Sequence, residues 1–126
     1  MKKLMLKSVL LLSILFCACS SDDNDSGGNS YPKEVSITYK VSSSNTTSAQ
    51  AVSYKNATGG MATVTNVALP YTITVNRTVN EGDDASIGYS SANASANVTL
   101  QILVDNSVVK TQNFTVGTGA IQYLFE

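Results

Sequence analysis

The chain has 126 residues, of which 43% are hydrophobic and 13% are charged, and its formal net charge is −1. It contains no histidine, which excludes imidazole bases, histidine-containing triads and the common histidine-containing zinc sites. From Tyr31 onward, five basic residues stand against six acidic ones without forming a basic stripe, so nucleic acid is not expected as a partner. Both cysteines lie near the N-terminus, so the rest of the chain has neither a disulfide nor a thiol nucleophile.

The first 18 residues are typical of a secretory signal peptide. Lys2, Lys3 and Lys7 form a positive start, the run from Leu4 to Phe16 is almost wholly apolar apart from Lys7, and the small residue Ala18 follows shortly after it. This run is shorter than the roughly 20 residues that a membrane-spanning helix needs. We therefore predict that residues 1–18 are a signal peptide that is removed.

The end of this segment, Phe16-Cys17-Ala18-Cys19, resembles the lipobox of bacterial lipoproteins. The resemblance implies that signal peptidase cuts before Cys19 and that the Cys19 thiol carries a lipid. Cys17 fits this role less well because it follows the bulky Phe16. Two or more acyl chains anchor a protein stably to a bilayer. The alternative is a plain secretory signal cut near Ala18, which would leave Cys19 unmodified.

Residues 19–33 are predicted to form a flexible tether behind the lipidated cysteine. The run from Ser20 to Ser30 is rich in Ser, Asp, Asn and Gly and buries too little apolar surface to fold. Ser21-Asp22-Asp23 also resembles the surface-export signal of lipoproteins from the Bacteroidetes, which implies an outer-membrane location with possible surface exposure. An ordinary solvated linker is the alternative reading.

Residues 34–126 are predicted to form one all-β domain, because the apolar positions repeat with a period of two. The expected strands cover 34–41, 50–54, 61–69, 71–75, 85–89, 98–104, 108–116 and 121–125. The most regular alternation runs from Val98 to Val104 and predicts Leu100 and Ile102 in the core, with Thr99 and Gln101 on the other face. In the second strand, the same alternation predicts that Gln50, Val52 and Tyr54 share a face.

Gly, Asn and Asp residues predict the connections between these strands. Loops or turns are expected at 42–48, 59–60, 80–84, 93–97, 105–106 and 117–119. Asp105-Asn106 is a hairpin signal. Pro70 has no N–H to donate to a ladder, so it should mark an edge, a bulge or a switch between sheets.

Seven or eight short strands without a helical pattern predict a single antiparallel β-sandwich, immunoglobulin-like in architecture. A small barrel is the alternative. The tryptophan and the cysteine pair of true immunoglobulin domains are missing, so the core must consist of Val, Ile, Leu and Tyr.

The segments Ser53–Val75, Ala85–Ser91 and Val98–Gln112 resemble the MmpS-type transport accessory proteins. The similarity lies in a Tyr strand, a Gly-rich turn, the step Asn66-Val67-Ala68-Leu69-Pro70 and the hairpin Ile102-Leu103-Val104-Asp105-Asn106. It spans roughly residues 35–125 and implies a role beside an envelope exporter of the RND type. This chain differs in having a lipobox instead of a transmembrane helix, and Asn106 in place of the usual Gly.

Two groups of side chains suggest chemistry but have a simpler interpretation. Glu81, Asp83 and Asp84 offer oxygens for calcium, but they lack the alternating spacing of a known calcium loop, so a solvated acidic turn is expected. The six tyrosines suggest a carbohydrate platform, but five lie in strand registers where Tyr favours a half-buried surface, so a core role is expected.

The sequence therefore predicts a non-enzymatic lipoprotein of the bacterial cell envelope, lipid-anchored through Cys19. It predicts no catalytic residues, no cofactor and no metal site. The β-sandwich would serve as a binding module for an envelope protein, a glycan or a lipid at the outer membrane or cell surface. The alternative is an MmpS-like accessory protein of an envelope transporter.

Overall fold

The alternation of apolar and polar side chains produces eight strands in the part of the chain that the computed structural model describes, residues 30–126. The strands are β1 (Lys33–Ser43), β2 (Ser48–Lys55), β3 (Met61–Ala68), β4 (Tyr71–Val79), β5 (Asp84–Ser90), β6 (Val98–Val104), β7 (Ser107–Phe114) and β8 (Thr118–Leu124). The predicted signal peptide, Cys19 and all but the end of the predicted tether lie outside the described residues.

The strands form two four-stranded antiparallel sheets, ordered β4-β1-β6-β7 and β3-β2-β5-β8. Only β2–β3 and β6–β7 are hairpins within one sheet, and the other five connections cross from one sheet to the other. The predicted all-β antiparallel sandwich is confirmed, with eight strands and with no helix among residues 30–126.

The core lies between the inner faces of the two sheets. On β6, Leu100 and Ile102 are fully buried while Thr99 and Gln101 lie on the other face, as the period of two predicts. The largest fully buried side chains are Tyr39, Phe125, Ile37, Ile87, Leu100, Ile102, Val41, Val52, Val79 and Val98. Val, Ile, Leu and Tyr therefore make up most of the core, as predicted, and Phe125 and three alanines are buried with them.

Two connections between strands have the geometry that their residues predict. Asp105 and Asn106 both have positive φ, 49° and 70°, which is the geometry of the tight hairpin turn that this dipeptide predicts. Pro70 lies between β3 and β4, which belong to different sheets and are both edge strands. The predicted switch at Pro70 is confirmed.

The prediction that Gln50 shares the face of Val52 and Tyr54 is wrong. Ala49 is buried instead, and Gln50 is exposed. The partner strand has a matching irregularity, because Asn66 opposes Gln50 and has a φ of 53°, in the left-handed region. The alternation thus shifts by one residue in both strands at the same level, which a period-two reading of one strand does not anticipate.

Several predicted boundaries differ from the observed ones. The first loop covers only residues 44–47, because Ser48 already pairs with Ala68. Asp84 belongs to β5 rather than to the preceding loop, and Gly119 belongs to β8, where it pairs with Tyr89. Phe125 follows β8 but is still buried, at 2% exposure.

The sandwich has two ends, which we name by where the chain enters at Tyr31. The proximal end holds Tyr31, residues 56–60, 80–83 and 105–106, and the C-terminal residue Glu126, whose carbonyl accepts a hydrogen bond from the Tyr31 hydroxyl at 3.1 Å. The distal end holds the loops 44–47, 69–70, 91–97 and 115–117.

Candidate functional site

The charged side chains are concentrated towards one end of the sandwich. Lys110 lies in the middle of β7 and Lys40 in the distal half of β1, opposite Thr72, and every other charged residue among residues 31–126 lies in or near a proximal-end loop. The four distal loops contain only Ser, Thr, Asn, Ala, Val, Leu, Pro and Gly. The proximal end can therefore form ion pairs, whereas the distal loops offer only uncharged groups.

At the proximal end, Arg77 points inward from β4 and is 9% exposed. Its Nη1 donates to the Asp84 carbonyl at 2.7 Å, and its Nη2 lies 3.8 Å from Asp83 Oδ2. The Asp84 carboxylate accepts hydrogen bonds from Lys55 Nζ and, at 2.8 Å, from Gln122 Nε2. We call Lys55, Arg77, Asp83, Asp84 and Gln122 the proximal cluster; it joins β4 of one sheet to β2, β5 and β8 of the other.

Two pKa shifts follow from this arrangement. Partial burial by itself would raise the pKa of Asp84, but the hydrogen bonds from Lys55 and Gln122, with the charges of Lys55 and Arg77, outweigh it and lower that pKa. Burial raises the pKa of Tyr39 to about 12, and the charge of Arg77 offsets only part of this effect. Tyr39 therefore stays protonated and donates its hydroxyl to the Lys55 carbonyl at 2.9 Å.

The predicted acidic turn at residues 80–84 is held by its own hydrogen bonds. The Asp83 carboxylate accepts from the Asn80 N–H at 2.8 Å, and the Gly82 N–H donates to the Phe125 carbonyl at 2.7 Å. No group of three or more His, Cys, Asp or Glu residues within 30–126 is arranged to hold a metal ion. The carboxylates of Asp83 and Asp84 thus have protein partners, and we assign the cluster a structural role.

The tyrosines are placed as the strand registers predict. Tyr39, Tyr54 and Tyr89 are buried, and the other three, Tyr31, Tyr71 and Tyr123, are half-buried against the core. The Tyr39 and Tyr54 rings pack at 5.6 Å between centroids. No row of exposed tyrosines forms on the described residues, so the tyrosines do not provide a carbohydrate platform.

At the distal end, hydrogen bonds fasten the loop 44–47 to the loop 91–97. Asn45 Nδ2 donates to the Ser95 carbonyl at 3.0 Å, and Asn45 Oδ1 accepts from the Asn97 N–H at 2.8 Å. Ser43 Oγ donates to the Asn97 carbonyl at 2.7 Å, and Asn113 Nδ2 donates to Asn97 Oδ1 at 2.7 Å. These bonds fix the shape of the distal end.

A cleft of about 330 Å³ opens beside these loops, and we call it the distal cleft. Ala49 and Ala92 contribute to its lining. Its polar lining residues, all uncharged, are Thr46, Ser48, Gln50, Asn66, Ser91 and Asn93. The cleft offers hydrogen-bond donors and acceptors without a formal charge.

Sequence reasoning missed both the proximal cluster and the distal cleft. Arg77 shares the inward face of β4 with Ile73 and Val75. The alternation in the sequence therefore predicts a buried arginine, which needs a carboxylate or carbonyl partner. The cleft depends on Gln50 and Asn66, whose positions result from the paired irregularity of β2 and β3. The only trace of it in the sequence is the weak regularity of the third strand.

Comparison with protein-family models gives no match, and comparison with curated proteins finds no significant relative. Within residues 30–126 no helix is long and apolar enough to cross a membrane. The described part of the chain is thus an antiparallel β-sandwich with a charged proximal end and an uncharged distal end.

Proposed function

We propose that this protein is a non-enzymatic lipoprotein of the bacterial cell envelope, anchored to the outer membrane through Cys19, whose β-sandwich binds a partner at the cell surface. The observation that carries the proposal is the lipobox-like run Phe16-Cys17-Ala18-Cys19 at the end of a short apolar segment. The Ser- and Asp-rich residues behind Cys19 support it, because they provide a solvated tether between the bilayer and the first strand.

The position of the chain entry supports a binding role for the distal end. The tether joins the sandwich at Tyr31, at the proximal end. β1 has 11 residues, which at about 3.3 Å per residue separates the two ends by roughly 30 Å. The distal loops are therefore the part of the sandwich farthest from Tyr31, the residue at which the chain enters it.

The anchor is tested by metabolic labelling with a clickable fatty acid. The full chain should be labelled, and Cys19→Ala should abolish the label because acylation requires that thiol. Cys17→Ala is the matched control and should keep the label. Loss of label in Cys17→Ala with retention in Cys19→Ala would contradict the assigned site.

Surface display is tested by adding protease to intact cells. The protein should be cleaved, and replacing Asp22 and Asp23 with Ala should reduce cleavage if the acidic run directs export. Replacing Asn24 and Asn29 with Ala is the control, because it changes the same tether without removing charge. Full protection in intact cells would contradict display on the surface.

An MmpS-like accessory role is the second candidate, and the resemblance over residues 66–70 favours it. In the structure this step comprises the left-handed Asn66, the inward Val67 and the sheet switch at Pro70. These are features of the fold and need not come with a transport partner. Co-purification of an inner-membrane transporter with the full chain, together with protease protection, would favour this second role.

A further inference from the structure

We propose that the distal cleft is a binding site for an uncharged carbohydrate. This proposal rests on the binding role proposed above and assigns that role a site and a class of ligand.

The paired irregularity of β2 and β3 places two amides side by side. Ala49 pairs with Val67 and Ala51 with Thr65, so Gln50 and Asn66 stand opposite each other between these pairs. Ala49 and Val67 are both buried, whereas Gln50 and Asn66 are exposed and line the cleft. In a regular ladder, the alternation set by Val52 and Val64 would turn Gln50 and Asn66 towards the core. The irregularity brings both side chains to the outer face and so creates this part of the site.

The side-chain amides of Gln50 and Asn66 have no hydrogen-bond partner among residues 30–126. Among the hydrogen bonds of residues 30–126, none involves the side chains of Ser48, Gln50 or Asn66. By contrast, the side chains of Asn45 and Asn113 at the same end are engaged in several hydrogen bonds each. The distal amides therefore divide into those of Asn45 and Asn113, which hold the loops, and those of Gln50 and Asn66, which have no partner among residues 30–126.

The free groups match the hydroxyl groups of a sugar. Each amide provides two N–H donors and one carbonyl acceptor, and each hydroxyl of a sugar both donates and accepts. No charged residue lines the cleft, so a phosphate, a uronic acid or a cation would be bound there without a countercharge. Neutral polyols are the ligands that avoid this penalty.

The size and rigidity of the cleft also fit a short stretch of an oligosaccharide. Its volume of about 330 Å³ is at the lower end of the range for ligand pockets. The Asn45–Ser95 and Asn45–Asn97 hydrogen bonds hold the adjoining loops in place, so little ordering is required on binding. No aromatic side chain lines the cleft, so affinity should depend strongly on the amides.

The site is tested on the full chain in dodecylphosphocholine, a detergent without a sugar headgroup. The probes are neutral hexasaccharides of glucose, mannose and xylose, each titrated separately, with hexagalacturonate as the acidic comparison. Side-chain amide signals of the ¹⁵N-labelled protein are followed by NMR and assigned by substitution. At least one neutral probe should shift the Gln50 and Asn66 signals, and hexagalacturonate should bind at least tenfold more weakly.

The variants are chosen to keep the fold. Asn66→Gly removes the amide but tolerates the positive φ, and Gln50→Ala removes the other amide. The double variant should lose at least tenfold in affinity with an unchanged melting temperature. Gln112→Ala, which removes an exposed amide from β7, is the matched control and should bind like the unaltered protein.

Three results would overturn the site: no shift of either amide with any neutral probe, equal affinity in the double variant, or tighter binding of hexagalacturonate. Failure of the site is distinguishable from failure of the proposed function. If the titration fails while Cys19 is acylated and the protein is exposed on cells, only the carbohydrate site is wrong. If acylation fails while the titration succeeds, the anchor is wrong and the site stands.

Discussion

Asp84 accepts more side-chain hydrogen bonds than any other residue of the proximal cluster. Its carboxylate accepts hydrogen bonds from Lys55 and Gln122, and its carbonyl accepts one from Arg77. The carboxylate and the carbonyl therefore bind groups from three other strands. Because Arg77 comes from the opposite sheet, Asp84 stabilises the contact between the sheets as well as the start of β5.

The lowered pKa of Asp84 predicts an acid-dependent loss of stability. Its folded pKa lies below the ordinary value near 3.8, so its contribution is fully present above that value and is lost as the pH falls through the folded pKa. Asp84→Asn should lower the free energy of unfolding at pH 7 by about 1.5–3 kcal/mol, the range for hydrogen bonds to charged groups.

The difference between Asp84→Asn and the unaltered protein should shrink as the pH falls below 4, which denaturant unfolding at a series of pH values would measure. Glu81→Gln is the control, because Glu81 is exposed in the neighbouring loop and should give a nearly constant, small difference. A gap that stays the same from pH 7 to pH 3 would contradict the role assigned to the Asp84 charge.

At the scale of the element, β6 provides the sharpest test of which face is buried. Leu100 is fully buried and Gln101 points to the other side. Leu100→Ala should cost about 2–5 kcal/mol through lost burial and the cavity left behind, whereas Gln101→Ala should stay within about 0.5 kcal/mol. Chemical denaturation of both variants measures the difference, and equal effects would contradict the register of this strand.

The corner between β7 and β8 depends on the absence of a side chain at Gly119. A Cβ at this position would lie 2.7 Å from the Phe114 ring and 2.8 Å from the Tyr89 ring. Gly119→Ala should therefore destabilise the protein by about 1–3 kcal/mol, because the two rings must move apart. Thermal and denaturant unfolding measure this cost.

Gly60→Ala is the matched control for Gly119→Ala, since a Cβ at Gly60 has no neighbour closer than 3.7 Å. It should change stability by much less than Gly119→Ala. A similar effect of the two substitutions would show that the Phe114–Tyr89 packing is more adaptable than its 5.9 Å centroid separation suggests.

The elements that could be predicted from the sequence are those whose geometry is set locally. The period of two in β6, the hairpin at Asp105-Asn106 and the switch at Pro70 each depend on a few consecutive residues. The shift at Gln50 and Asn66 could not be read in this way, because it requires two strands to become irregular at the same level. Likewise, nothing local says that Arg77 meets Asp84, because that contact depends on how the sheets pack.

On the scale of the whole molecule, the connectivity ties the two sheets together. Five of the seven connections cross between sheets, so neither sheet consists of consecutive strands that could separate from the other. The proximal cluster adds polar contacts across the same gap, and Phe125 adds buried apolar surface after the last strand. Loss of either sheet would expose the core of the other.

This connectivity predicts that the domain unfolds in one cooperative transition that does not depend on metal or reductant. The core consists of apolar side chains from both sheets, and the acidic turn is held by its own hydrogen bonds and by Arg77. Far-UV circular dichroism and tyrosine fluorescence should therefore give the same denaturant midpoint, and neither EDTA nor a reductant should move it. Arg77→Met, which keeps the buried stem but removes the guanidinium, should lower the midpoint while the two probes still coincide.

A midpoint that falls on adding EDTA and recovers with calcium would instead identify the turn at residues 80–84 as a calcium site. Two separate midpoints would contradict the coupling of the sheets.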